Sequence, residues 1–368
     1  MTNLSIIILG LSITSSWGNG HATTYRGLVR ELCRRSHQVT FLERDRPWYA
    51  ENRDMPAPPF GRTCLYRGIG DLKRRFTSCV RDADLVVVGS YVPDGIDVGA
   101  WVLETASGLT AFYDIDTPVT VAALERGDCP YLTPDLIASY DLYLSFTGGP
   151  LLRRIERQFG APMARALYCA VDPALYRPET VPIRWDLGYI GTYSADRQPI
   201  LDELLIAPAL AWPDGRFVVA GPQYPKTIKW PRNVRRTQHI APNRHRRFFN
   251  AQRYTLNLTR ADMVRAGWSP SVRLFEAAAC GTPIISDWWD GLDTFFVPEK
   301  EILIARDRRD VQHILSDLGE AGRRALGKAA RARILAAHTA AHRAQELEAY
   351  VDEALRVRRV PAAAAIAV

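Results

Sequence analysis

The chain places a basic and an acidic side chain three residues apart in Ser269-Pro270-Ser271-Val272-Arg273-Leu274-Phe275-Glu276-Ala277-Ala278-Ala279-Cys280-Gly281. Ser269 suits a helix cap, Pro270 the first helical position and Gly281 the helix end. The spacing therefore predicts a short helix over Pro270–Cys280. Its free N–H groups, with Ser271 among them, and its positive dipole end stabilise a phosphate. Arg273 and Glu276 share one face near that end. The guanidinium adds charge-assisted hydrogen bonds to a diphosphate, and a carboxylate one turn later can accept from two vicinal hydroxyls such as a ribose carries. A surface ion pair worth about 0.2–0.5 kcal/mol fits the same spacing.

Other loops carry further chemistry. Gly191-Thr192-Tyr193 follows an apolar run, and Arg197 lies beyond it. Glycine there lets backbone N–H groups approach phosphate. Gly18-Asn19-Gly20-His21 follows the first apolar run and opens a helix; without a third glycine it is a poor dinucleotide fingerprint. His21 is a candidate general base, because imidazole titrates near neutrality. Asp114 and Asp116 end another strand, where both carboxylates are expected at the edge of a cleft. Asp116 would orient His21 or bind acceptor hydroxyls; Asp114 also fits a turn residue.

Short apolar runs alternate with amphipathic stretches along the whole chain. Candidate strands are Leu4–Leu9, Gln38–Leu42, Leu85–Gly89, Leu109–Tyr113, Leu142–Phe146 and Leu167–Ala170, with a helix over Thr23–Arg34. Such alternation implies an α/β protein with parallel sheets covered on both faces. Three prolines in Asp172–Pro182 mark a linker. The alternation then restarts: strands Leu187–Ile190, Phe217–Ala220, Thr255–Leu258 and Pro283–Ser286, and helices Ile200–Leu205 and Pro270–Cys280. The expected domains are 1–175, 186–338 and a last helix over 339–357 capped by Thr339. Two Rossmann-like units in tandem should face a cleft, with a hinge near Asp172–Trp185 and the last helix crossing back.

The bulk properties narrow the partners. The net charge of +7 favours anionic ligands. Arg232–Arg247 is arginine-rich but has no stacking aromatics or recognised motif, which points to a solvated basic face and away from nucleic acid. Six scattered cysteines without a CxxC pair suit a reducing cytoplasm. The apolar start has no basic residue before it and reads as a strand rather than a signal. No run of about 18 apolar residues predicts a membrane span. Trp288 and Trp289 read as core or as a sugar-facing pair.

The run from Arg273 through Gly281-Thr282-Pro283 to Ile285 resembles the nucleotide-sugar signature of GT-B glycosyltransferases. Within them it is similar to the CgeB-like branch related to glycosyltransferase family 4. The resemblance implies a metal-independent hexosyltransferase with no cofactor and a nucleoside diphosphate sugar, UDP favoured, as co-substrate. It implies that Glu276 holds the donor ribose, that His239, Ile240 and Ala241 meet the base through backbone groups, and that Gly18–Gly20 faces a small-molecule or glycan acceptor. Family 4 members carry a second Glu eight residues earlier, touching the donor sugar. Here that position is Trp268. A nucleotide-sugar epimerase and a non-catalytic spore-coat or surface relative are the alternatives.

Overall fold

The apolar runs become two parallel sheets in a computed structural model that describes residues 3–18 and 20–365. The chain divides into unit 1, residues 1–169 with 340–368, and unit 2, residues 170–339.

Unit 1 holds β1 (Ser5–Gly10), β2 (Gln38–Arg44), β3 (Arg62–Tyr66), β4 (Leu85–Gly89), β5 (Leu109–Asp114), β6 (Leu142–Ser145) and β7 (Ala164–Ala166). They pair in the order β3-β2-β1-β4-β5-β6-β7, every pair parallel. This is the doubly wound order, with its reversal between β1 and β4. β4 is buried along its whole length, because helices cover both faces. The last strand is Ala164–Ala166 rather than Leu167–Ala170. Three residues pair with β6, and Leu167 leaves the sheet to enter the core.

Helix Ala340–Ala365 belongs to unit 1. Ala344, Leu347, Val351 and Ala354 enter the same core as Leu28, Val29 and Leu32 of helix His21–Arg34. Glu348 accepts from Arg35 and approaches His37 Nε2 at 2.8 Å, and the Tyr350 hydroxyl donates to the Ala166 carbonyl.

Unit 2 holds β8 (Trp185–Ile190), β9 (Phe217–Ala220), β10 (Val234–Thr237), β11 (Gln252–Asn257), β12 (Ile284–Ser286) and β13 (Leu303–Ile304). The order β10-β9-β8-β11-β12-β13 is again parallel and doubly wound, reversing between β8 and β11. The segment between Ile200 and Leu205 is longer than the periodicity predicts: helix Gln198–Leu201, a π-helical turn Asp202–Ile206 and helix Ala207–Ala211 follow without a break. No helix among the described residues is long and apolar enough to cross a membrane.

Candidate functional site

Open α/β sheets bind ligands beyond the carboxyl ends of their strands, where the order reverses. In unit 2 that point lies between Ile190, the end of β8, and Asn257, the end of β11. Arg273 bridges it. Its Nε donates to the Ile190 carbonyl and its Nη1 to Asn257 Oδ1 at 3.0 Å. The guanidinium also lies 4.9 Å from the centre of the Tyr189 ring.

The helix carrying Arg273 is Val272–Ala279 with Ser271 at the N-cap, so Ser269 is not the cap and Pro270 lies before the first turn. The later start has a local cause. The Ser271 hydroxyl does not cap; it donates to Asn257 Oδ1 at 3.0 Å. The same amide donates through Nδ2 to Thr259 Oγ1 at 3.3 Å and Ser286 Oγ at 3.0 Å. Thr259 in turn donates to Asp287 through its N–H and its hydroxyl, at 3.0 and 2.9 Å. A satisfied polar chain thus holds the guanidinium in place. Asn257 was not singled out from sequence; its only signal is an amide at the end of an apolar strand.

Two glycines let the loops close in around it. A Cβ on Gly221, whose φ is +142°, would stand 1.9 Å from the Gly191 carbonyl oxygen. A Cβ on Gly191 would stand 2.5 Å from the Tyr189 hydroxyl and 2.9 Å from Arg273 Nη2. The loops after β8 and β9 therefore touch backbone to backbone beside the guanidinium. Thr192 and Tyr193 continue the first loop, where Arg197 Nη2 donates to the Thr192 carbonyl at 2.6 Å. Tyr193 packs edge-on against Tyr224, whose hydroxyl donates to the Gly191 carbonyl at 3.3 Å.

Arg236 adds a third guanidinium. It donates to the Val219 and Gly221 carbonyls and lies 4.1 Å from the Tyr224 ring and 4.7 Å from that of Trp230. Arg232, Arg235, Arg244 and Arg247 are exposed, as expected of a solvated basic face over 232–247, but two arginines depart from it: Arg236 is half-buried against rings and carbonyls, and Arg246 pairs with Glu179 at 2.9 Å. Arg197, Arg236 and Arg273 all bear on Tyr224. Their hydrogen bonds go to neutral oxygens, and among the described residues none of the three forms an ion pair. Burial, then the nearby Arg197 charge, pushes the Arg273 pKa down. The three guanidiniums thus concentrate positive charge around Tyr224.

Glu276 lies on the same helix and is only 6% exposed, which removes the surface ion pair with Arg273. Burial pushes its pKa up to about 7, against the pull of the Tyr176 hydroxyl and Arg273. Tyr176 comes from the proline-rich segment, where nothing in the sequence marked it. His239 is exposed beyond β10, and Ala241 is the N-cap of helix Pro242–Asn250. The Ile240 carbonyl lies 2.9 Å from His245 Nε2, which pins this turn. Of the paired tryptophans, Trp289 is buried and Trp288 is 44% exposed.

In unit 1, Asn19 lies outside the described residues. Gly18 has a φ of +67°, and Gly20 is the N-cap of helix His21–Arg34. The loop leading to them is clamped by the buried Glu43, which accepts from the Ile13 and Thr14 N–H groups and the Ser12 and Thr14 hydroxyls. His21 is buried edge-on to Tyr91, and burial lowers its pKa to about 4. Asp114 is fully buried, contrary to the expectation that its carboxylate reaches the edge of a cleft. It accepts from the Tyr143 and Thr120 hydroxyls and the Asp116 N–H, so it organises the end of β5 as a turn residue does. Burial raises its pKa to about 6. Asp116 is half-buried at the start of helix Thr117–Arg126.

Two doubly wound parallel sheets in one chain, reversing at β1/β4 and β8/β11, match solved GT-B structures over 95% or more of the chain. The fold is GT-B. Residues 197–349 match a family model described as "Glycosyl transferase-like". No curated protein matches the chain. Among solved structures, the GT-B chain is similar to Anabaena HepE in complex with UDP and glucose, at 12% identity and a TM-score of 0.70 over 95% of this chain and 100% of that one. It is similar to sucrose-phosphate synthase from Thermosynechococcus elongatus, at 16% identity and a TM-score of 0.68 over 96% and 100%. It is also similar to an alpha-glucosyltransferase in complex with UDP and DNA, at 13% identity and a TM-score of 0.71 over 96% and 100%. The resemblance to GT-B glycosyltransferases drawn from Arg273–Ile285 holds.

Proposed function

We propose that the protein is a glycosyltransferase that takes a hexose-like sugar from a nucleoside diphosphate donor, UDP favoured, and passes it to a hydroxyl or amine of a small-molecule or glycan acceptor. The observation that carries this reading is the guanidinium of Arg273, laid across the ends of β8 and β11 and bonded only to neutral oxygens. Gly191, Thr192, Arg197 and Ser271 share that strand-end region with it. The family match over residues 197–349 and the UDP complexes of HepE and the alpha-glucosyltransferase support the donor class.

In this reading the departing diphosphate gains charge as the glycosidic bond breaks, and preorganised guanidiniums stabilise that charge. Glu276 accepts from the ribose hydroxyls, and the His239–Ala241 turn meets the base. Unit 1 takes the acceptor through the Gly18–Gly20 loop. There His21, neutral at working pH because burial lowers its pKa, draws the acceptor proton, and Asp116 binds or orients. The reaction proceeds in the cytoplasm without a metal or a resident cofactor.

Titration calorimetry with UDP tests the donor site. Glu276→Ala should weaken binding by about 1.5–3 kcal/mol per charged hydrogen bond lost. Unchanged affinity removes the assignment. Conversion of a UDP-sugar to an isomer with no acceptor present would instead mark an epimerase.

A further inference from the structure

Unit 2 carries a cavity of about 680 Å³ at the amino ends of β8, β9 and β10, lined in part by Trp185, Asp214, Arg216, Arg232, Asn233 and Arg235. The strands enter the sheet here, where Leu187 pairs with Phe217 and Phe217 with Val234. Open α/β sheets keep their principal ligand site at the carboxyl ends. β8 runs from Trp185 to Ile190, about 16 Å at strand spacing, so the cavity and Arg273 lie at opposite ends of it.

The walls of the cavity are fixed. Asn233 Nδ2 donates to the Ala209 and Trp212 carbonyls, both at 2.9 Å. The Phe217 N–H donates to the Asn233 carbonyl at 3.0 Å, and the buried Asp186 accepts from the Arg216 N–H at 2.9 Å. The charge is not balanced. Arg232 and Arg235 are exposed and form no ion pair or side-chain hydrogen bond among the described residues. Arg216 reaches Asp186 at 3.4 Å, but Arg253 shares that carboxylate at 3.6 Å. Among the described residues Asp214 is the one carboxylate lining the cavity. A concavity lined by one sign of charge focuses its field on an entering counter-ion.

We propose that this cavity binds a phosphorylated small molecule, at a site separate from the donor's. Guanidinium forks match phosphate oxygens, and the volume is that of a small-molecule site. Arg232 and Arg235 supply the free charge, Arg216 borders them, and the half-buried Trp185 gives one apolar wall.

Calorimetry of the full chain with inorganic tripolyphosphate, run with and without saturating UDP, tests the site. Arg232→Gln/Arg235→Gln should lower tripolyphosphate affinity at least about tenfold and leave UDP affinity within about twofold of the parent's. Arg153→Gln/Arg157→Gln removes the same charge from an exposed face of helix Pro150–Phe159 and should leave both affinities within about twofold. Equal losses in the two double variants would reduce the effect to net charge and overturn the site. So would a parent that does not bind tripolyphosphate, complete displacement of tripolyphosphate by UDP, or unchanged affinity in Arg232→Gln/Arg235→Gln. A chain that binds tripolyphosphate through these arginines but does not bind UDP would lose the donor reading and keep this site.

Discussion

Glu276 sits where its charge state is set by competing neighbours, and donor binding should report it. Burial holds its pKa near 7, above the ordinary 4.5. Ribose hydroxyls need the ionised carboxylate as acceptor, so below about pH 7 binding must first expel a proton. Donor affinity should therefore rise with pH through about 7 and level off above it. Paired titrations of the parent and Glu276→Gln across pH 5.5–8.5 isolate this step, since the amide has no proton to lose. A step of equal size in both chains would belong to the ligand. The sign for stability is opposite: the raised pKa favours the apo fold at low pH, and that contribution is lost as pH rises from about 4.5 to about 7. His21 differs, because burial lowers its pKa to about 4. If it takes the acceptor proton, His21→Ala should lower turnover by about 100-fold or more, and the acid limb of the parent's rate profile should fall near pH 4. A loss under about tenfold would leave it a packing residue.

At the scale of elements, the loop crossing in unit 2 leaves no room for a side chain. Gly221→Ala would drive a methyl into the Gly191 carbonyl and force a positive φ on alanine. The variant should lose about 1–3 kcal/mol in denaturant unfolding, and UDP binding should weaken with it. An unfolding midpoint within error of the parent's would mean that the two loops move apart freely. Elements with continuous apolar runs were legible in the sequence: Ile6–Leu9, Leu85–Val88 and Phe217–Ala220 are buried along their length, and burial on both faces demands such runs. The strands that escaped sit at sheet edges. Arg62–Tyr66 is mostly half-buried, Val234–Thr237 carries two arginines, and Leu303–Ile304 is two residues long. The site split along the same line. Arg273 and Glu276 stood out because they are charged in an apolar helix. Asn257, Tyr176, Arg236 and Tyr224 act through contacts made only once distant segments meet, and no local spacing encodes that.

At the scale of the whole molecule, the two units differ in how the chain builds them. Unit 2 is one continuous stretch, whereas unit 1 needs helix Ala340–Ala365 to close its core. Removing residues 340–368 should expose Leu28, Leu32 and Val29 and leave Arg35 and His37 without Glu348. Several buried aliphatic contacts at about 1.5–3 kcal/mol each exceed the margin of an ordinary domain. Limited proteolysis of the truncated chain should therefore degrade 1–169 and leave a resistant fragment over 170–339 that still binds UDP. Survival of 1–169 would show that the helix is dispensable.

The discontinuity of unit 1 also imposes an order on synthesis. The ribosome delivers every strand of the first sheet, then all of the second unit, before the residues that seal the first core emerge. At about 5–20 residues per second, Leu28 and Val29 wait for Leu347 and Val351 through more than 300 intervening residues. The nascent chain spends that interval with an unsealed apolar groove, and helix Ala340–Ala365 is the step that closes it.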